Sequence, residues 1–290
     1  MVFGKIDTLP YLDLLPEHDQ EPHPTSPYDR WVTPDGGVAA EFYRLPDGFL
    51  IRFPGQADFQ LDSAAQTVRG RAVPNAPPGI ADDLFHNAIL ALIGNFGGEL
   101  NLHGSAVDLG ESAVAFVGHS RSGKTTLAAA FARAGHPFLS EDVIALHANG
   151  PGSYLVKPAR PVLRLFPDSA SFIFGAEGNG QPSNMGRKAA LPAGSSVPFA
   201  ERAVPLAALV LLGEDTREQP SLERLAPASA LAAFMQHAFV LDVEDKARVS
   251  AHFERMGDLA SSVACYCLNY PRIYDQIPAV ISLILKKLGR

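Results

Sequence analysis

Between Gly118 and Thr126 the chain reads GHSRSGKTT, which places Gly118, Gly123, Lys124 and Thr125 at the fixed positions of the spacing G-x-x-x-x-G-K-[ST]. Glycines let such a loop curl until several main-chain N–H groups converge on one anion. A helix that starts at the lysine turns its positive end toward the same point. The lysine then reaches the outer phosphates of a nucleotide, and the hydroxyl after it ligates magnesium. Those residues are Lys124 and Thr125, with Ser120, Arg121, Ser122 and Thr126 completing the loop. Arg121 either covers the phosphates or projects outward, and His119 reads as solvent-facing filler. Glu141 and Asp142 follow Lys124 by about 17 residues, between the apolar pairs Phe138–Leu139 and Val143–Ile144. Adjacent residues of a regular strand face opposite ways, so both carboxylates approach one phosphate only from a strand end or a bulge. There, one acid can serve a metal and the other an incoming hydroxyl; two solvated turn carboxylates are the plainer alternative. In most hydrolytic proteins with this loop the metal-binding acid stands much farther along, so the short interval favours transfer over hydrolysis.

A phosphate loop of this kind needs a strand before it and a helix after it. AVAFVG is an apolar run suited to a buried strand, KTTLAAAFARAG is an Ala-rich helix, and PFLSEDVIAL reads as the next strand. Upstream, GELNLHGSAVDL is strand-like, and IADDLFHNAILALIGNF has helical spacing with an acidic first turn. Downstream, YLVKPARPVLRLF, AVPLAALVLLG and ACYCLNY read as strands. ASALAAFMQHAF, KARVSAHFERMGDLASSV and IPAVISLILKKL read as helices, and GAEGNGQPSNMGRKAALPAG as a long flexible loop. The first ~30 residues, rich in Pro, Asp and Glu, read as a loosely ordered arm. Short runs separated by Pro-Asp-Gly and Pro-Gly turns then predict a small antiparallel β unit over roughly residues 32–74. NAPPG, Asn75 to Gly79, marks a boundary. The expected organisation is an arm and β unit over 1–77 and an α/β domain over 78–290.

The whole chain narrows the classes. Its 290 residues carry a formal net charge of −7, with 47% hydrophobic and 19% charged residues. No basic excess is available for duplex phosphates, so nucleic acid is not an expected partner. No window approaches the ~18 uninterrupted apolar residues of a membrane span, and acidic residues interrupt the apolar runs at the start, unlike a signal peptide. A cytoplasmic protein is expected, and the sequence leaves a homo-oligomer open. Cys265 and Cys267 occupy alternate positions of one strand, a poor geometry for bridging each other and too small a set for structural zinc. They read as core thiols.

LHGSAV followed by AVAFVGHSRSGKTTLAAAFARAGHPFLSEDVIAL resembles the bacterial HPr kinase/phosphorylase superfamily. Within it, the HPr-kinase-related branch that includes kinases tailoring lasso-peptide precursors is most similar. RLFPDS, Arg164 to Ser169, and GRKAALP, Gly186 to Pro192, carry the resemblance further. It covers roughly residues 84–290 and is most specific over 102–146. It implies a P-loop kinase core on a mixed sheet, related to phosphoenolpyruvate carboxykinase, with the small antiparallel β unit preceding it. The implied activity is transfer of a γ-phosphate from ATP, with Mg²⁺, to a serine of a peptide or small protein. The specific expectation is the C-terminal serine of a lasso-peptide precursor. By the same resemblance Gly118, Ser120, Gly123, Lys124 and Thr125 surround the phosphates and Mg²⁺. Glu141 is the base toward the serine, Asp142 joins Thr125 at the metal, and His103 lies near the reacting phosphate. Arg187 and Lys188 belong to a basic loop over the phosphates or acceptor. His103 is otherwise a core histidine, and Arg187 with Lys188 a solvated pair. Arg164, inside an apolar strand, is expected to pair with a carboxylate, Asp168 or one outside the motif. The chain departs from the family pattern at Arg121 for a glycine, Thr126 for a glutamate, Glu141 for an aspartate, and in its first ~80 residues. HPr is accordingly not the expected acceptor. A kinase of free small molecules and a nucleotide-sensing regulator without transfer are the alternative readings.

Overall fold

The computed structural model describes residues 10–33, 35–63, 66–175, 181–182, 188–214 and 218–290. By internal contacts the chain forms two compact units, one running to Gly98 with Val240–Val249, the other comprising Glu99–Phe239 with Ser250–Arg290. The helical stretch that follows the Asn75–Gly79 break therefore belongs with the first unit.

The first unit is built on a six-stranded sheet. Its strands are β1 (Tyr11–Leu14), β2 (Asp29–Val32), β3 (Val38–Leu45), β4 (Gly48–Phe53), β5 (Ala57–Asp62) and β6 (Thr67–Ala72), in the order β1-β6-β5-β4-β3-β2. β2 to β6 are an antiparallel meander, as the turn residues predicted, and β1 lies parallel to β6 with Tyr11 opposite Thr67. The described part of the Pro-rich arm is thus not loose: it supplies both edge strands. Phe42, Ile51 and Phe59 are fully buried in this unit. α1 (Ile80–Leu84), a π-helical turn (Phe85–Ile89) and α2 (Leu90–Phe96) follow as one helical run that buries Leu84, Ile89, Leu92 and Ile93.

The second unit is α/β. Its strands and helices, in chain order, begin with β7 (Leu100–Asp108), β8 (Ala113–Val117), α3 (Lys124–Arg133), β9 (Phe138–Ser140), β10 (Val143–Ala148) and β11 (Tyr154–Lys157). β12 (Val162–Leu165), α4 (Pro167–Phe174), β13 (Gln181–Pro182) and β14 (Ala189–Pro192) come next. They are followed by β15 (Val204–Leu212), β16 (Ser221–Arg224), α5 (Pro227–Met235), α6 (Lys246–Ser262), β17 (Ala264–Asn269) and α7 (Ile277–Lys287). The main sheet runs β11-β10-β7-β8-β15-β17-β16, with β9 also on β7 and β11 also on β15. It is mixed: β8, β15 and β17 are parallel neighbours, while β7 and β10 run antiparallel to theirs.

Strands covered on both faces must be apolar throughout, and β8 is buried at every residue. Val114 and Phe116 pack on one side with Phe131 of α3, Phe174 of α4 and Ile284 of α7. Ala113, Ala115 and Val117 pack on the other with Phe234 of α5 and Met256 and Leu259 of α6. The two cysteines of β17 are both free. β12, β14 and β13 make a separate three-stranded sheet. Part of the predicted 175–194 loop, including Arg187, lies outside the described residues; the described remainder contributes β13 and β14. Among the described residues, no helix is long and apolar enough to cross a membrane.

Candidate functional site

β8, β15 and β17 all end on the same side of the sheet, and in an open α/β sheet that end is where ligands bind. The Gly118–Thr126 loop leaves β8 there and enters α3. Gly123 sits immediately before the helix at φ 96°, where L side chains are strained, and a Cβ on it would meet the Tyr270 hydroxyl at 3.2 Å. Arg121 takes a left-handed φ of 64° in the same loop. No side chain caps α3, so the first N–H groups of the helix face whatever occupies the loop. Lys124 is buried, and its Nζ donates to the carbonyls of Gly118 at 2.8 Å and His119 at 2.9 Å. Burial lowers its pKa to about 8, against the pull of Asp142.

The acid pair sits at a kink between β9 and β10, both of which lie along β7. Ser140 is opposite Ala106 and Val143 opposite His103. Asp142 adopts a φ of 65°, Val143 N–H donates to the Glu141 carbonyl, and Gly104 N–H donates to the Asp142 carbonyl. The kink turns both carboxylates to the same group: Arg164 of β12 donates to Glu141 Oε2 through Nε at 3.0 Å and Nη2 at 2.7 Å, and to Asp142 Oδ2 at 3.1 Å. Thr125 Oγ1 donates to Glu141 Oε1 at 3.3 Å, and Lys188 Nζ stands 3.5 Å from the same oxygen. Of the two expected kinds of partner, Arg164 therefore takes carboxylates outside its own RLFPDS stretch, Glu141 and Asp142, rather than Asp168.

The two acids differ in access. The Glu141 side chain is 1% exposed, whereas that of Asp142 is 15% exposed. Burial, then the charge of Asp142, pushes the Glu141 carboxyl up to about 7. Burial acts on Asp142 in the same direction but is outweighed by Lys188, Arg164 and His103, leaving it below its ordinary value. Burial, with Lys124 adding, lowers His103 to about 4, so its imidazole is neutral near pH 7, and it hydrogen-bonds the Asp142 main chain.

A cleft of about 620 Å³ joins these parts. Of the residues singled out from the sequence, it is lined by His103, Ser120, Arg121, Gly123, Lys124, Thr125, Thr126, Asp142, Arg164 and Lys188. Gly118, Ser122 and Glu141 stand behind this wall, and His119 is exposed beside His237. The wall also contains Phe166, Asp168 and Ser169, where α4 begins, and the Tyr270–Tyr274 turn after β17. No spacing in the sequence signals that turn; parallel pairing of β17 with β15 brings it to the loop.

The residues fit a nucleotide with its metal. The helix start is uncapped, and two of the three N–H groups of the Lys124 ammonium are taken by loop carbonyls. Among the described residues no group of three or more His, Cys, Asp or Glu could hold a metal alone. Thr125 and Asp142 on the cleft wall are instead a partial set of oxygens, of the kind that would hold a magnesium ion only together with phosphate oxygens and water.

No protein-family model matches the sequence, and no curated protein matches it. Among solved structures, the Hpr(Ser) kinase/phosphatase from Coxiella burnetii is similar over 64% of this chain and 95% of its own, at 11% identity and a TM-score of 0.35. A likeness at that level decides nothing about this chain's chemistry.

Proposed function

We propose that this protein transfers the γ-phosphate of ATP to a serine hydroxyl of a peptide or small protein. One juxtaposition carries the reading: the uncapped start of α3 and buried Lys124 share a single cleft with Asp142 and His103. Lys124 and the first amides of α3 would hold the charge of the transferring phosphoryl group, the main demand of such a reaction. Mg²⁺ held at Thr125, whose hydroxyl Glu141 fixes from behind the cleft wall, would supply charge neutralisation to the phosphates. Asp142, on the cleft wall with neutral His103 beside it, takes the hydroxyl proton as the acceptor oxygen bonds to phosphorus and the bond to ADP breaks. Glu141 fixes the Thr125 hydroxyl while Arg164 fixes Glu141.

This order of roles reverses the one implied by the family resemblance, in which the first acid is the base. A pKa near 7 suits Glu141 to base chemistry, but proton transfer needs contact first. Only Asp142 of the pair lines the cleft. The serine acceptor is supported by the resemblance over residues 102–146, which also makes a precursor peptide ending in serine the first acceptor to try. The test follows label from γ-labelled ATP with Mg²⁺, with and without that peptide, beside Lys124→Ala. Label on the peptide that needs Lys124 supports the proposal. Lysine-dependent release of free phosphate with no labelled peptide points to another acceptor or to hydrolysis. ATP that binds and stays intact makes the protein a nucleotide sensor.

A further inference from the structure

Beyond the reacting end, the cleft is closed by the turn Tyr270–Tyr274. Arg272 lays its guanidinium over the Tyr270 ring, 4.0 Å from the centroid, and donates through Nη2 to the Gly213 carbonyl. Its Nη1 is buried, makes no hydrogen bond of good geometry among the described residues, and belongs to a side chain that lines the cleft. A buried guanidinium N–H left without an acceptor is costly, and a phosphate oxygen is the acceptor that suits it best. The stacked pair stands at the loop, since the Tyr270 hydroxyl is the neighbour a Cβ on Gly123 would meet.

A chain of hydrogen bonds ties the rest of the turn to the first turn of α3. Tyr274 Oη donates to Asp168 at 2.6 Å and meets Ser169 Oγ at 3.0 Å, and Ser169 Oγ lies 3.3 Å from Thr126 Oγ1. Ile273 is 56% exposed, and Tyr274 stacks with Phe172 at 4.7 Å between ring centroids. This turn adds apolar surface to the cleft on the side where it is bonded to the start of α4 and, through Ser169, to Thr126. A loop of this type directs the outer phosphates to its lysine and cradles the inner ones with its amides. With Lys124, Asp142 and His103 at the reacting end, the nucleoside extends the other way.

Resting on the kinase reading above, we propose that Tyr270–Tyr274 forms the nucleoside end of the site. Arg272 Nη1 binds an inner phosphate oxygen, and Ile273 and Tyr274 cover the base. The test is equilibrium binding of ATP and of inorganic tripolyphosphate, both with Mg²⁺, to the full chain and to Arg272→Gln, Ile273→Asp and Lys124→Ala. Wild type should prefer ATP. Ile273→Asp should weaken ATP roughly tenfold, the loss of about one apolar contact, and leave tripolyphosphate unchanged. Arg272→Gln should weaken both roughly tenfold, the worth of one charge-assisted bond. Should Arg272→Gln fail to fold, the exposed Ile273 carries the test. Equal wild-type affinity for the two ligands, or Lys124-dependent ATP binding unchanged in both turn variants, overturns this proposal and spares the phosphate-loop reading. ATP binding that ignores Lys124→Ala, or no ATP binding at all, overturns both.

Discussion

Arg164 and Glu141 are 7% and 1% exposed at their side chains, with two N–H groups of the guanidinium on one carboxylate oxygen. Taking two charges out of water is repaid only while both stay and their remaining lone pairs are bonded; here Thr125 and Lys188 complete the carboxylate. Removing one partner strands the other. Arg164→Met should therefore cost about 3–5 kcal/mol in urea unfolding, and wild-type stability in that variant would show that the pair is not holding the kink. The roles of the acids separate at the same scale. Asp142→Asn should lower transfer by about 10²-fold or more, the range of general base catalysis, while ATP still binds. Glu141→Gln should instead raise the magnesium needed for half-maximal rate and lower the melting temperature. If Asp142→Asn keeps its rate and Glu141→Gln alone loses it, Glu141 is the base.

The kink depends on the strand beside it. At Gly104 of β7 a Cβ would lie 2.4 Å from the Phe116 carbonyl and 2.3 Å from Ile144 Cδ1, so β7 can pass between β8 and β10 only without a side chain there. Gly104→Ala should cost about 1–3 kcal/mol as overpacking. Because Gly104 N–H also bonds the Asp142 carbonyl, transfer should fall further than lost stability explains, which a rate measured well below the melting temperature would reveal. The same elements show what a sequence can disclose. The strand, loop and helix around Lys124 were legible because motif spacing and apolar runs are local. That both acids need a strand end or bulge followed from strand geometry, although the left-handed Asp142 did not. β1 carries no local signal because its partner, β6, lies more than fifty residues along, and the four residues YLDL have no marked pattern. The partner of Arg164 and the arrival of Tyr270–Tyr274 at the loop are products of tertiary pairing, with no local pattern to announce them.

Across the whole molecule, buried imidazoles set the response to acid. His103, His237 and His252 are each lowered to about 4, in every case first by burial. From the ordinary histidine value of 6.5 down to about 4, the unfolded chain binds protons that the native chain does not. Stability therefore falls as pH drops through that window. Glu141 acts in the opposite sense. Its carboxyl is raised from 4.5 to about 7, so between those values the native state holds the extra proton and gains stability as pH falls. Asp142, shifted down, starts to cost stability only below the ordinary aspartate value of 3.8. Among the described residues, three imidazoles against one carboxyl leave a net loss between about pH 7 and about pH 4. His252 isolates the effect: it lies on α6, is buried, and neither ring nitrogen meets a hydrogen-bond partner among the described residues. It is also outside the cleft. His252→Leu removes one of the three titrations while filling the same apolar space. Its melting temperature should gain on wild type steadily between about pH 7 and about pH 5. A constant offset across that range would mean that His252 takes up its proton without unfolding the chain, and that the acid response arises elsewhere.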